Sequence, residues 1–186
     1  MLSLKDSFRE FPVIETERLV LRKIEDKDAE IFFRLYSDIK VMRYFGREMF
    51  TNFEQAVDKV NLEKSAFDNK EAVRWAVTLK PSDQMIGSGG FWKINKEHFR
   101  AEIGYDLLPQ YHRRGIMTEA VKAMIDFGFN RMKLHSIEAN TDPENTASNR
   151  MLEKLGFILE GKFSENFFFN GKFLDTYTFS IINKSK

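Results

Sequence analysis

In 186 residues the chain carries 29 Lys and Arg against 28 Asp and Glu, a net charge of +1, so no basic excess marks nucleic acid or an anionic membrane as its main partner. Without a cysteine it has no disulfide, thiolate nucleophile or cysteine zinc site, and 42% hydrophobic residues in a length typical of one domain supply a single core. The first dozen residues are charged throughout and no apolar run approaches the roughly 18 residues of a membrane span, so a cytoplasmic protein with no membrane partner is expected.

In chain order, "ERLVLRKI" (17–24) alternates charged and apolar residues as a half-buried strand does. Asp26 is placed to cap "KDAEIFFRLYSD", and Asn52 to cap "FEQAVDKVNLEKSAF", which predicts two amphipathic helices. "VRWAVTLK" (73–80), "MIGSGGFWKI" (85–94) and "FRAEIGYDLL" (99–108) read as an antiparallel meander with turns at "PSDQ" and "NKEH". A helix follows "PQYHRRG", then a strand at "LHSIEANT" (134–141) and a helix at "NTASNRMLEKLGF" (145–157). Two strands, "FILEGKFSENFFF" and "KFLDTYTFSII", close the chain around a tight turn at "NGK". No repeat, low-complexity tract or linker divides this series, which predicts a mixed α/β domain on one central sheet and lacks the doubly wound alternation.

"PQYHRRGIMTEAV" (109–121) sets two arginines before a lone glycine at the start of a helix, whose N-terminus is already positive. An anion in front of the helix resolves that conflict: unpaired N–H groups converge there, Gly115 permits close approach, and Arg113, Arg114 and the Thr118 hydroxyl add donors. The competing reading is two solvated arginines and a turn glycine. Neither G-x-x-x-x-G-K-[ST] nor G-x-G-x-x-G is present, so nucleotide hydrolysis fits poorly.

"AEIGYDLLPQYHRRGIMTEAV" together with "NTASNRMLEKLGF" resembles the acetyl-CoA-binding core of the GNAT superfamily of N-acetyltransferases. "ETERLVLR" and "LEGKFSENFFFNGKFLDTYTFS" resemble, within it, the branch containing the ribosomal-protein-alanine N-acetyltransferases. The resemblance implies one acetyltransferase domain over 14–184 behind an extension, 1–13. It also implies a mostly antiparallel twisted sheet of about seven strands with about four helices, splayed in the middle to hold acetyl-CoA. The superfamily's pyrophosphate loop, Q/R-x-x-G-x-G/A, falls on His112, Arg113, Arg114, Gly115, Ile116 and Met117. Only Gly115 matches strictly, so binding there rests on backbone N–H groups. Leu107 and Leu108 are the backbone positions expected to align the pantetheine, and Asn145 is expected both to cap its helix and to contact the coenzyme.

By the same resemblance Glu102 takes the general-base position and Ser148 faces the coenzyme A sulfur. The alternatives are a structural Glu102 satisfied by backbone or by an arginine such as Arg100 or Arg74, and a Ser148 that merely starts a helix. The ribosomal branch tends to carry a Glu where this chain has Phe167, two residues after Glu165, which leaves Glu102 or water as the base. Tyr44, Phe45, Trp92 and Phe167 are candidate walls of an acceptor pocket. His98, His112 and His135 show no metal-ligand spacing, so no metal is expected.

With no cysteine to carry an acyl group, transfer is expected to pass directly from acetyl-CoA to a primary amine. A protein N-terminal amine is the favoured acceptor: at neutral pH about a tenth of α-amines are uncharged, against fewer than about one lysine in a thousand. A polyamine or aminoglycoside, which wants an acidic cleft, is the alternative within the class. A non-catalytic acyl-CoA sensor is the alternative outside it. The chain is expected as a monomer or homodimer.

Overall fold

Leu19 and Leu21 are fully buried on one face of the first long strand, the period-two pattern that "ERLVLRKI" predicts. The computed structural model describes residues 6–184. Its strands are β1 (Ile14–Glu15), β2 (Leu19–Lys23), β3 (Val73–Leu79), β4 (Met85–Asn95), β5 (Arg100–Leu107), β6 (Ser136–Thr141), β7 (Ile158–Phe169) and β8 (Lys172–Ile182). Its helices are α1 (Ala29–Tyr36), α2 (Ile39–Met42), α3 (Glu54–Asp68), α4 (Ile116–Asn130) and α5 (Thr146–Lys154). The elements beyond the expected count are two-residue β1 and four-residue α2, both too short to leave a periodic signature.

All eight strands join one sheet in the order β1-β2-β3-β4-β5-β6-β8-β7. β3 and β4 are buried on both faces because helices cover each. On one face Trp75, Phe91 and Ile103 pack with Met124 of α4; on the other, Phe32 and Tyr36 of α1 pack with Val60 of α3 and Met85. The chain ahead of β1 also packs here, with Phe8 buried against Phe67 and the Trp75 indole N–H donating to the Pro12 carbonyl at 2.6 Å. Of the expected extension, residues 1–5 lie outside the described residues. Among the described residues no helix is long and apolar enough to cross a membrane.

Every neighbouring pair is antiparallel except β5 and β6. These two run parallel for only three pairs, Arg100↔Ser136 to Glu102↔Glu138, and β5 then continues from Ile103 to Leu107 without a β6 partner. The sheet is therefore continuous at its base and open in the middle.

Two expected caps shift. Asp26 opens a 3-10 turn rather than capping it, because the Glu25 N–H is taken at 2.8 Å by Asp28, whose buried carboxylate Arg22 grips twice at 2.8 Å. Asn52 accepts from the Gln55 N–H at 3.1 Å, one residue before the position that adjoins α3. The "NGK" turn forms as expected, with Asn170 and Gly171 both at positive φ (47° and 76°) between Phe169 and Lys172.

Candidate active site

The open edge of β5 leads into the arginine-glycine loop. A 3-10 turn at Pro109–Tyr111 ends the strand, Arg113 enters the left-handed region (φ 60°), and Gly115 follows it (φ 72°) as the residue before α4. None of the backbone N–H groups from Arg113 to Thr118 meets an acceptor among the described residues. Ile116 and Met117 bury their side chains in the core, which leaves their N–H groups at the helix mouth. A Cβ on Gly115 would lie 3.5 Å from an Arg18 nitrogen, an ordinary contact, so conformation rather than space calls for glycine here. Six consecutive unpaired donors at a helix N-terminus, with the Arg113 and Arg114 side chains beside them, are the kind of donor set that suits a diphosphate.

Residues far away in sequence hold this loop. Arg18 donates to the Arg114 carbonyl at 3.0 Å and to Glu119 at 2.6 Å, and Glu119 also receives the Thr16 hydroxyl (2.6 Å) and the Arg18 N–H (3.0 Å). Burial works to raise the Glu119 carboxyl, yet those hydrogen bonds outweigh it and hold the group below the usual carboxylate range. The His112 ring lies 2.9 Å from the Leu107 carbonyl and ties the loop back to the strand it left. The Leu108 N–H donates to Ile86 at 2.9 Å, so it is committed to the sheet.

Along β5, Glu102, Gly104 and Asp106 face one side while Ile103, Tyr105 and Leu107 face the other. On the second side the Tyr105 hydroxyl lies 2.7 Å from the Ser148 hydroxyl, bridging the open strand to α5. Burial pushes the Tyr105 phenol up to about 12, against a smaller opposing effect of the Ser148 hydrogen bond, so it stays protonated at neutral pH. With Tyr105 donating, the Ser148 O–H is released to point elsewhere. Asn145 caps α5 as expected, its side-chain oxygen accepting the Ser148 N–H at 3.2 Å.

On the first side Glu102, its side chain only 9% exposed, pairs with Lys93 at 2.7 Å. Neither arginine considered from sequence serves it. Arg100 bonds Glu138, and Arg74 is drawn inward to Ser88 (2.8 Å) and Asp106, a deeper and drier carboxylate. Lys93 is 71% exposed, so water screens the lysine end of the pair. The Trp92 ring fills the space of the missing Gly104 side chain: a Cβ there would fall 2.1 Å from the indole.

Glu102, Tyr105, Asn145 and Ser148 line one cleft of about 660 Å³, with Tyr44, Phe45 and Trp92 in its walls. Phe167, expected as a wall, does not line it: the ring is partly exposed and packs on Gly46, whose added Cβ would fall 2.5 Å from it. Sequence reasoning missed Tyr105, although the alternation in "AEIGYDLL" places it with the buried Ile103 and Leu107. It also missed Arg18, which has no local signal.

A mostly antiparallel sheet opened at one parallel pair, with a bare helix N-terminus at the opening, defines an acetyltransferase of the GNAT class. Residues 18–158 match the Acetyltransferase (GNAT) domain family, and the chain belongs to it. The protein is accordingly an N-acetyltransferase that uses acetyl-CoA. It is 37% identical to the N-acetyltransferase YoaA of Bacillus subtilis, over 92% of this chain and 97% of that protein. It is 31% identical to a spermidine N(1)-acetyltransferase of Escherichia coli, over 82% of this chain and 80% of the other. The crystal structure of a GNAT-family acetyltransferase from Bacillus anthracis superimposes with a TM-score of 0.83 at 34% identity, covering 92% of this chain and 98% of that one.

Proposed function

We propose that this protein acetylates the N-terminal α-amine of a protein or peptide by direct transfer, with residues 14–184 as one catalytic domain. The backbone N–H groups from Arg113 to Thr118 hold the pyrophosphate, with Arg113 and Arg114 beside them, and the open edge of β5 at Leu107 guides the pantetheine. Glu102 accepts the proton that the amine sheds as its nitrogen bonds to the acetyl carbon. Ser148, oriented by Tyr105, presents its O–H to the sulfur as the C–S bond breaks, and the thiolate takes its proton from water. Positioning in the cleft supplies much of the rate, since well-oriented reactants gain on the order of 7 to 11 kcal/mol.

The observation that carries the acceptor class is the charge balance of the cleft. Its lining holds four Lys and Arg side chains and four Asp and Glu side chains. A polyamine, with several positive charges, gains nothing from such a wall. A single α-amine needs only one carboxylate and a modest base. The likeness to a spermidine acetyltransferase supports the second reading, a polyamine acceptor.

Calorimetric titration of acetyl-CoA, followed by thiol release with N-terminal peptides and with spermidine, separates the two. Peptides are expected to be preferred at least about tenfold in kcat/KM. A preference for spermidine refutes the acceptor assignment, and tight acetyl-CoA binding without thiol release on any amine refutes transfer itself.

A further inference from the structure

We propose that the acceptor cleft contains an anion subsite built on Arg47, so that the preferred acceptor is a peptide whose amine is followed, about three residues on, by Asp or Glu. The inference rests on the reading of this cleft as the acceptor site.

The cleft is electrically polarised along β5. Glu102 and Asp106 share one face, four residues apart, which separates their backbones by about 13 Å. At the Glu102 end stand Trp92, paired across β4 with Glu102, and Glu71 just ahead of β3. At the other end the Asp106 carboxylate is sealed, its side chain 0% exposed, by the Tyr36 hydroxyl (2.9 Å), the Ser88 hydroxyl (2.8 Å) and N–H (3.0 Å), and Arg74. It has no capacity left for a cationic ligand.

Over the ring of Tyr36, whose hydroxyl helps seal that carboxylate, lies Arg47. Its guanidinium sits 4.4 Å from the centre of the Tyr36 ring and 5.2 Å from that of Phe45. The other cations of the cleft are matched: Lys59 with Glu63, Arg74 with Asp106, Lys93 with Glu102. Arg47 makes no hydrogen bond or ion pair among the described residues. Stacking on rings fixes a guanidinium while leaving the donors at its edge unspent, and those donors suit a carboxylate taken through both oxygens. Arg47 is therefore the cation in excess at this end; burial first, then the Arg74 charge, holds the neighbouring Lys59 ammonium below the usual lysine range against the opposing pull of Glu63, and Arg47 adds a smaller push. A second cation on the acceptor is repelled at this end, and an anion is drawn to it.

The spacing selects the acceptor. An extended peptide advances about 3.3 to 3.6 Å per residue, so an amine at the Glu102 end brings the side chain about three residues later to Arg47. The carboxylate of a free amino acid lies too close to its amine to span the distance.

The test is thiol release from acetyl-CoA with peptides sharing one N-terminal residue and differing only at positions two to four, carrying Asp or Glu, their amides, or Lys. Free amino acids and spermidine form separate arms. The wild type is expected to favour the acidic peptides about tenfold or more in kcat/KM, chiefly through KM. Arg47→Met, which keeps an apolar stem on Tyr36, is expected to bring the acidic-to-amide ratio close to one, and Arg47→Glu to invert it toward Lys. Equal use of acidic and Lys peptides by the wild type, preference for spermidine or a free amino acid, or an equal loss on all peptides in Arg47→Met overturns the subsite. Turnover of peptides without acid selectivity leaves the α-amine reading standing while the subsite fails. Absence of turnover on every amine removes both.

Discussion

Replacing Tyr105 by Phe keeps the ring on β5 and deletes one buried hydroxyl, so it isolates what the 2.7 Å contact with Ser148 contributes. A neutral hydrogen bond contributes a net 0.5 to 1.5 kcal/mol or so, which in a rate constant is about 2- to 12-fold. Ser148→Ala removes the group that meets the departing sulfur; a bond to a charged atom, roughly 1.5 to 3 kcal/mol, makes that loss about 10- to 160-fold in kcat. If Tyr105 acts through Ser148, the two losses do not multiply: in the Ser148→Ala background, Tyr105→Phe costs almost nothing more. The assay is thiol release at saturating acetyl-CoA and peptide for wild type, both single variants and the double variant. The pH profile adds an independent readout. With burial pushing the phenol up to about 12, Tyr105 is neutral throughout the working range, so Tyr105→Phe is expected to lower the plateau without moving either limb below about pH 11. Multiplicative losses, an unchanged kcat in Tyr105→Phe, or a basic limb that disappears in that variant would refute the relay.

Gly115→Ala is expected to lower stability by about 1 to 2 kcal/mol in denaturant titrations, because φ 72° is a left-handed conformation and not because room is lacking. Gly115→Trp, which adds bulk at the helix mouth, is expected to abolish calorimetric acetyl-CoA binding while circular dichroism still reports a folded chain; retained affinity would move the pyrophosphate elsewhere. Asp106→Ala leaves the Arg74 guanidinium and the Tyr36 hydroxyl buried without their partner, so a loss of about 3 to 5 kcal/mol is expected, and a loss near zero would show that water already reaches the pair. Glu119 has a folded pKa below its unfolded value of about 4.3, so its contribution is present above that pH and fades as pH falls through the folded value. Glu119→Gln should therefore be less stable than wild type at pH 7, with unfolding midpoints that converge as the pH falls through the folded value.

The strands and long helices were legible because burial writes a period of two or 3.6 into the sequence, as "ERLVLRKI" with its buried Leu19 and Leu21 and "NTASNRMLEKLGF" show. The helix start at Gly115 was legible for a different reason: a lone glycine ahead of an apolar-periodic run marks the turn, and Gly115 takes it at φ 72°. What escaped are relations between elements. Arg18 fastens the loop from the turn between β1 and β2, about a hundred residues earlier, and no local pattern records a partner at that distance. Glu102 was legible as an acid on a strand, but its partner was misjudged because Arg74 and Arg100 looked equivalent in sequence. Only the register shows that Arg74 lies opposite Gly90, within reach of Asp106, and that Arg100 opens the parallel pair beside Glu138. Tyr36, Arg47, Arg74 and Asp106 come from four elements or connections, and their polarity as a group exists only once the α1–α3 layer is laid on the sheet. In the proposed reading, acceptor choice lies in that group rather than in the acetyl-CoA motifs. The cleft facing Glu102 is therefore where selectivity among amine acceptors should be sought.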